Sequence, residues 1–129
     1  MPLKVGDKRE QVVIENLTRT HIVKYAGASG DFNPIHHDEV FAQQAGYPSV
    51  FAHGMFTMGL TARMLTDWLG PLALKSYGVR FTRQVWPGDT LTAKAEVIDV
   101  KDGIATIRVW TENQRGEVVV EGQATAVAD

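Results

Sequence analysis

The stretch His53-Gly54-Met55-Phe56-Thr57-Met58-Gly59-Leu60-Thr61-Ala62-Arg63-Met64-Leu65-Thr66-Asp67-Trp68-Leu69 is the longest uninterrupted helical candidate in the chain, and Gly70-Pro71 stops it. Met55, Phe56, Met58, Leu60, Ala62, Met64, Leu65 and Leu69 fall on nearly every side of a 3.6-residue helix, and a helix apolar all round belongs inside. Its clearest charges, Arg63 and Asp67, are four residues apart and so share one face, leaving a single polar strip to reach solvent or a partner. Beyond Gly70-Pro71 the pattern turns to strands, expected over 72–86, 91–100, 104–111 and 118–126. Turn signals at Pro87-Gly88-Asp89, Lys101-Asp102-Gly103 and residues 113–116 separate them. One buried helix followed by about four long antiparallel strands specifies an α+β architecture, with the sheet wrapped around the central helix. Such a sheet keeps a long edge strand, which a second subunit can pair, so a homodimer is expected.

Upstream of the helix the elements are shorter. Residues 11–17 carry β-branched alternation and read as a strand; Thr18 or Thr20 then caps a helix over about 20–28, which Gly27 and Ser29-Gly30 weaken. Asp31-Phe32-Asn33-Pro34-Ile35-His36 follows as a fixed loop, because Pro34 discourages helix at Asn33 and lacks an amide hydrogen. Asp38 reads as the N-cap of a short helix, Glu39 to Gln44, ended by Gly46 and Pro48.

A length of 129 residues suits one domain over 1–129, so an active site must be built on a single core or at a subunit contact. With no cysteine, thiol nucleophiles and thiolate metal sites are excluded. A net charge of −2 with scattered Lys and Arg gives no field for nucleic acid. No apolar run approaches the length needed to span a bilayer, and the first residues lack a signal-peptide core, so a cytoplasmic location is the expectation.

Asp31 and His36 are five apart across Asn33-Pro34 and cannot be neighbours on a regular helix; the loop must bring them together. An acid and an imidazole converging on one water can hold it and move its protons, a contribution of roughly 10²–10⁴-fold in rate. Asn33 can hydrogen-bond across the loop and fix it. At the start of the long helix, Gly54 has no side chain to block approach, and amides in a first helical turn lack intrahelical acceptors, so its N–H can polarise a carbonyl oxygen. The plainer readings are different. Asp31 in such a loop is ordinarily a turn residue. His36-His37-Asp38 does not read as a metal site, because adjacent histidines rarely face one ion and no further His or Cys lies at ligand spacing. His53 reads as a helix-start residue bonded to backbone, His21 as an exposed helix residue, and Met55, Met58 and Met64 as packing, although the methionines with small Gly59 and Ala62 can also shape an acyl tunnel. Lys75, Arg80 and Arg83 read first as a solvated face.

The run Tyr25-Ala26-Gly27-Ala28-Ser29-Gly30-Asp31-Phe32-Asn33-Pro34-Ile35-His36, with Ala42 six positions on, resembles the hydratase motif of MaoC-like dehydratases and (R)-specific enoyl-CoA hydratases. Ala52-His53-Gly54-Met55, Val79-Arg80-Phe81 and Pro87-Gly88-Asp89 resemble further family segments, so the likeness covers most of the chain. It implies a hot-dog fold and hydration or dehydration of acyl thioesters carried on coenzyme A or acyl carrier protein. Asp31 and His36 would activate water and the Gly54 amide would hold the thioester oxygen. Asn33, Met55, Gly59 and Ala62 would contact substrate, and no metal or separate cofactor is required. The hot-dog fold also hosts acyl-thioesterases, and the chain can alternatively be one subunit of a hetero-oligomeric dehydratase.

Overall fold

The computed structural model describes residues 2–129. The chain runs through β1 (Lys8–Ile14), α1 (Arg19–Ser29), a 3₁₀ turn (Pro34–His36), α2 (Glu39–Gln44), α3 (Gly54–Leu69), β2 (Leu74–Phe81), β3 (Leu91–Lys101), β4 (Ile104–Glu112) and β5 (Val118–Val127). The strands form one antiparallel sheet in the order β1-β3-β4-β5-β2, with β1 and β2 at the edges. Lys101-Asp102-Gly103-Ile104 closes the β3–β4 hairpin with positive φ at both central residues, 53° at Asp102 and 77° at Gly103, the geometry whose twist matches that of the strands.

The sheet curls around α3. Leu60, Met64 and Leu65 are buried on the sheet side of the helix, and the strands meet them with small residues: Ala93 and Ala95 on β3, Ala105 on β4, Ala124 and Ala126 on β5. Small side chains on the facing strands let the helix sit close, while Ile107, Val109 and Val97 fill the remaining space. Thr61 donates to the Thr57 carbonyl at 3.0 Å and pairs with the Thr111 hydroxyl at 2.6 Å, so the buried hydroxyls between helix and sheet are satisfied.

The expected architecture is present, with three differences. First, α3 is covered on one side only: Met55 is 57% exposed, Gly59 and Arg63 are exposed, and Ala62 is half-buried. A five-stranded sheet can curl over one flank of a helix, and a single chain has no further layer for the other. The polar strip ties the helix to β1, since Arg63 donates to the Val13 carbonyl at 2.6 Å and Asp67 accepts from Gln11 at 3.0 Å. Second, the strand expected over 72–86 stops at Phe81. The amides of Thr82 and Arg83 share the Val119 carbonyl, and the chain then leaves the sheet so that Val85 can accept from the Ala52 amide at 2.8 Å. Third, the first strand begins at Lys8, before its apolar alternation, and ends at Ile14, ahead of Asn16 with φ of 49°.

Gly122 on β5 faces β2 so closely that a Cβ there would overlap the Gly78 carbonyl oxygen and lie 2.7 Å from the Val79 Cα. These are backbone atoms and cannot swing aside. Gly122→Val is expected to separate β2 from β5 and lower the unfolding free energy by about 1–3 kcal/mol or more, as overpacking does. Urea denaturation followed by circular dichroism checks this; an unchanged midpoint would show that the strands part at no cost.

Candidate active site

The loop between α1 and α2 is held by its own short-range bonds. Thr18 caps α1 in a reciprocal box with His21, whose Nδ1 takes the Thr18 amide at 2.9 Å, so His21 has a structural task that its sequence context did not reveal. Gly30 ends the helix in the left-handed region at φ 76°. The Asp31 carboxylate then accepts the Asn33 amide at 3.3 Å, and the Asn33 side-chain oxygen accepts the Ile35 amide at 3.1 Å, capping the 3₁₀ turn that carries His36. Asn33 thus builds the loop.

His36 is buried, and its Nδ1 donates to the Phe51 carbonyl at 2.7 Å. That bond fixes the ring and leaves Nε2 with a free lone pair. Burial pushes the His36 pKa below its ordinary 6.5; His53 and His37 push the same way, while the Phe51 carbonyl and Asp31 oppose them. The imidazole is therefore a proton acceptor through neutral pH. Asp31 is exposed, and one ligand atom each from Asp31, His36 and His53 lie within 4.8 Å of one another. The loop brings the expected acid and imidazole together, within reach of one shared water. His53 joins them. Its Nε2 donates to the Asp31 backbone carbonyl at 3.0 Å, as expected of a helix-start residue, and its ring stacks on His36 at 3.8 Å. These three residues are also the group best placed to hold a metal among the described residues, although each imidazole has one nitrogen committed to a carbonyl.

Gly54 opens α3 directly after His53, whose side chain makes no capping bond to the helix. Among the described residues no acceptor takes the Gly54 N–H, so it remains available at the positive end of the helix dipole. It lines a cleft of about 280 Å³ walled by Thr57, Phe81, Arg83, Val85 and Val119. The Phe81 ring lies over Gly54: a methyl group added there would be 3.0 Å from it. Phe81 and Thr57 are cleft residues that sequence reasoning missed. Phe81 sits in the quoted Val79-Arg80-Phe81 segment, but nothing in its spacing says that β2 returns beside the start of α3.

Other expected residues are placed elsewhere. Met55, Gly59 and Ala62 lie on the outer side of α3 and do not line this cleft. The reason is helical phase: Gly54 and Thr57 face the cleft, and 55, 59 and 62 turn away. Of the three basic residues, Arg83 is at the cleft, paired with Glu117 at 3.4 Å, while Arg80 pairs with Glu121.

The model for the MaoC-like domain family matches residues 2–119. The chain belongs to that family. It is 40% identical over 101 residues to the 3-oxo-4,17-pregnadiene-20-carboxyl-CoA hydratase beta subunit of Mycobacterium tuberculosis, covering 78% of each chain. Among solved structures it is similar to the R-hydratase PhaJ1 from Pseudomonas aeruginosa, with a TM-score of 0.87, 31% identity, and coverage of 98% of this chain and 82% of that one. The ChsH1-ChsH2 complex from Mycobacterium tuberculosis gives a TM-score of 0.86 at 32% identity, with 98% of each chain covered. Some MaoC-like relatives are far longer: the chain spans 10% of the peroxisomal hydratase-dehydrogenase-epimerase of Saccharomyces cerevisiae. The helix-and-sheet arrangement described above is thus the hot-dog fold of the family's hydratases.

The lowered His36 pKa carries a sign that can be checked. As pH falls below 6.5 the unfolded chain takes up this proton first, so stability that is complete above 6.5 is lost as pH falls toward the folded value. The His36 ring signals should titrate below 6.5 in a nuclear magnetic resonance pH series, and titration at or above that value would contradict the burial argument.

Proposed function

We propose that this MaoC-like chain is an (R)-specific hydratase and dehydratase, interconverting trans-2-enoyl and (R)-3-hydroxyacyl thioesters of coenzyme A or acyl carrier protein. One observation carries the reading: Asp31 and His36, whose Nε2 is bare, converge on the side chain of His53, and the next residue, Gly54, presents an untaken N–H. Hydration needs these two things, a water held by proton acceptors and a polarised carbonyl conjugated to the double bond. The Gly54 amide donates its hydrogen bond to the thioester oxygen and draws electron density from C3; a donor of this kind is worth about 10²–10³-fold. The water oxygen bonds to C3 as the C2–C3 π bond opens, the Asp31–His36 pair takes one of the water's protons, and the same pair returns a proton to C2. H and OH are thereby added across the double bond, and the reverse order expels water. The chemistry needs no group beyond the substrate's own carrier. The names of the relatives, an R-hydratase and a CoA hydratase subunit, support the stereochemistry and the substrate class.

Asn33 serves by holding the loop, with its amide NH₂ left to meet substrate. Met55, Gly59 and Ala62 form an acyl-tunnel wall once a second subunit covers the outer side of α3, and β2, bonded to β5 alone, offers an edge for that subunit. A homodimer is the simplest such assembly. A different hot-dog partner is favoured by the beta-subunit name of one relative and the two-component complex of another. We place the reaction in the cytoplasm; no helix of the described residues is long and apolar enough to cross a membrane.

A panel from crotonyl-CoA to longer 2-enoyl-CoA thioesters, with loss of the enoyl absorbance and product chirality followed, tests the proposal. Formation of (R)-3-hydroxyacyl-CoA is expected. Release of free thiol instead would convert the reading to a thioesterase. Asp31→Asn and His36→Ala should each lower turnover by at least about 10²-fold with the fold retained. Gly59→Leu and Ala62→Leu should shorten the preferred acyl chain; an unchanged profile would take both residues out of the tunnel.

A further inference from the structure

The hydratase reading uses Asp31, His36 and the Gly54 amide, and leaves unexplained the imidazole that adjoins all three. His53 is 2% exposed and is the N-cap residue of α3, joined by one peptide bond to Gly54. Its Nε2 donates to the Asp31 carbonyl at 3.0 Å. Its ring lies on His36 with centroids 3.8 Å apart and planes 25° from parallel, and the Tyr25 ring packs against it at 4.8 Å. The remaining nitrogen, Nδ1, is buried without a partner among the described residues. An unpartnered buried nitrogen is a cost to folding, and an apolar ring would fill the same space without it. What a phenyl ring cannot do is bond the Asp31 carbonyl.

We propose that His53 is a positioning residue for the hydration reaction: it ties the Asp31 backbone to the N-terminus of α3 and holds the His36 ring in one orientation. The spacing between the water-holding pair and the carbonyl-holding amide is then set by one side chain. This rests on the hydratase reading of the site. A second imidazole stacked on His36 also disfavours its protonated form, acting with His37 and against Asp31, while Tyr25 packs on the side chain of His53 itself. His53 thus affects both where His36 points and when it can accept a proton.

The first test uses the wild-type chain without substrate. Long-range ¹⁵N–¹H spectra of the histidine rings should show His53 protonated at Nε2 and bare at Nδ1. The opposite tautomer cannot make the bond to Asp31 and overturns the proposal. The second test compares His53→Phe, which keeps a flat ring on His36 and loses the donor, with His53→Gln, which keeps a donor and loses the stack. With crotonyl-CoA, His53→Phe should lower kcat about tenfold to a hundredfold with KM near wild type, as misplaced groups do. Its His36 titration, read by nuclear magnetic resonance, should move to higher pH, and His53→Gln should recover part of the lost kcat. A folded His53→Phe with unchanged kcat, or with the His36 titration unmoved, overturns the role. Inactivity of the wild-type chain on every enoyl thioester would instead defeat the hydratase reading, and the tautomer and titration still judge His53. If His53→Phe does not fold, the wild-type tautomer and the titration in His53→Gln decide.

Discussion

The close seating of α3 on an alanine-lined sheet is the constraint on which the remaining structure depends. Ala93, Ala95, Ala105, Ala124 and Ala126 present little bulk, so Leu60, Met64 and Leu65 reach the sheet and the helix axis is fixed relative to the strands. Once the axis is set, so is the place where the helix begins. The Ala52–Val85 backbone bond fastens the approach to that point, and the strand after the helix returns with Phe81 against Gly54. Larger residues on the facing strands would lift the helix and carry Gly54 away from the Phe81 ring that lies over it.

Around that fixed helix start, the site is assembled from groups that have few alternatives. The loop of Asp31 and His36 closes on itself through Asn33 and Pro34, and the Phe51 carbonyl selects which nitrogen of His36 carries the proton. Burial then keeps that imidazole uncharged where an exposed one would begin to protonate. The result is an imidazole held in one orientation near a carboxylate, with an untaken backbone donor at the start of α3.

The open flank of α3 shows the other consequence of building a wrapped helix from a short chain. The sheet supplies one covering layer, and the apolar Met55 stays in contact with water on the far side. An exposed face on an apolar helix and a sheet edge at β2 are two surfaces that this chain leaves uncovered among its described residues.

Much of this was legible in the sequence. The apolar run of α3 with its Gly70-Pro71 stop, the Lys101-to-Ile104 turn, the Asp38 cap and the loop of Asp31 to His36 are local signals, carried by residues close along the chain. For that reason the architecture and the loop that brings Asp31 and His36 together could be read from them. What sequence periodicity could not supply were contacts between segments distant along the chain. The end of β2 at Phe81 depends on a carbonyl of β5; the stacking of His53 on His36 joins positions 17 residues apart; the exposure of Met55 and Gly59 depends on how far five strands can curl. Local sequence determined which residues could do chemistry, because turn geometry and helix starts are set by neighbours. Only the tertiary structure decided which of them meet, because that is fixed by the packing of α3 against the sheet.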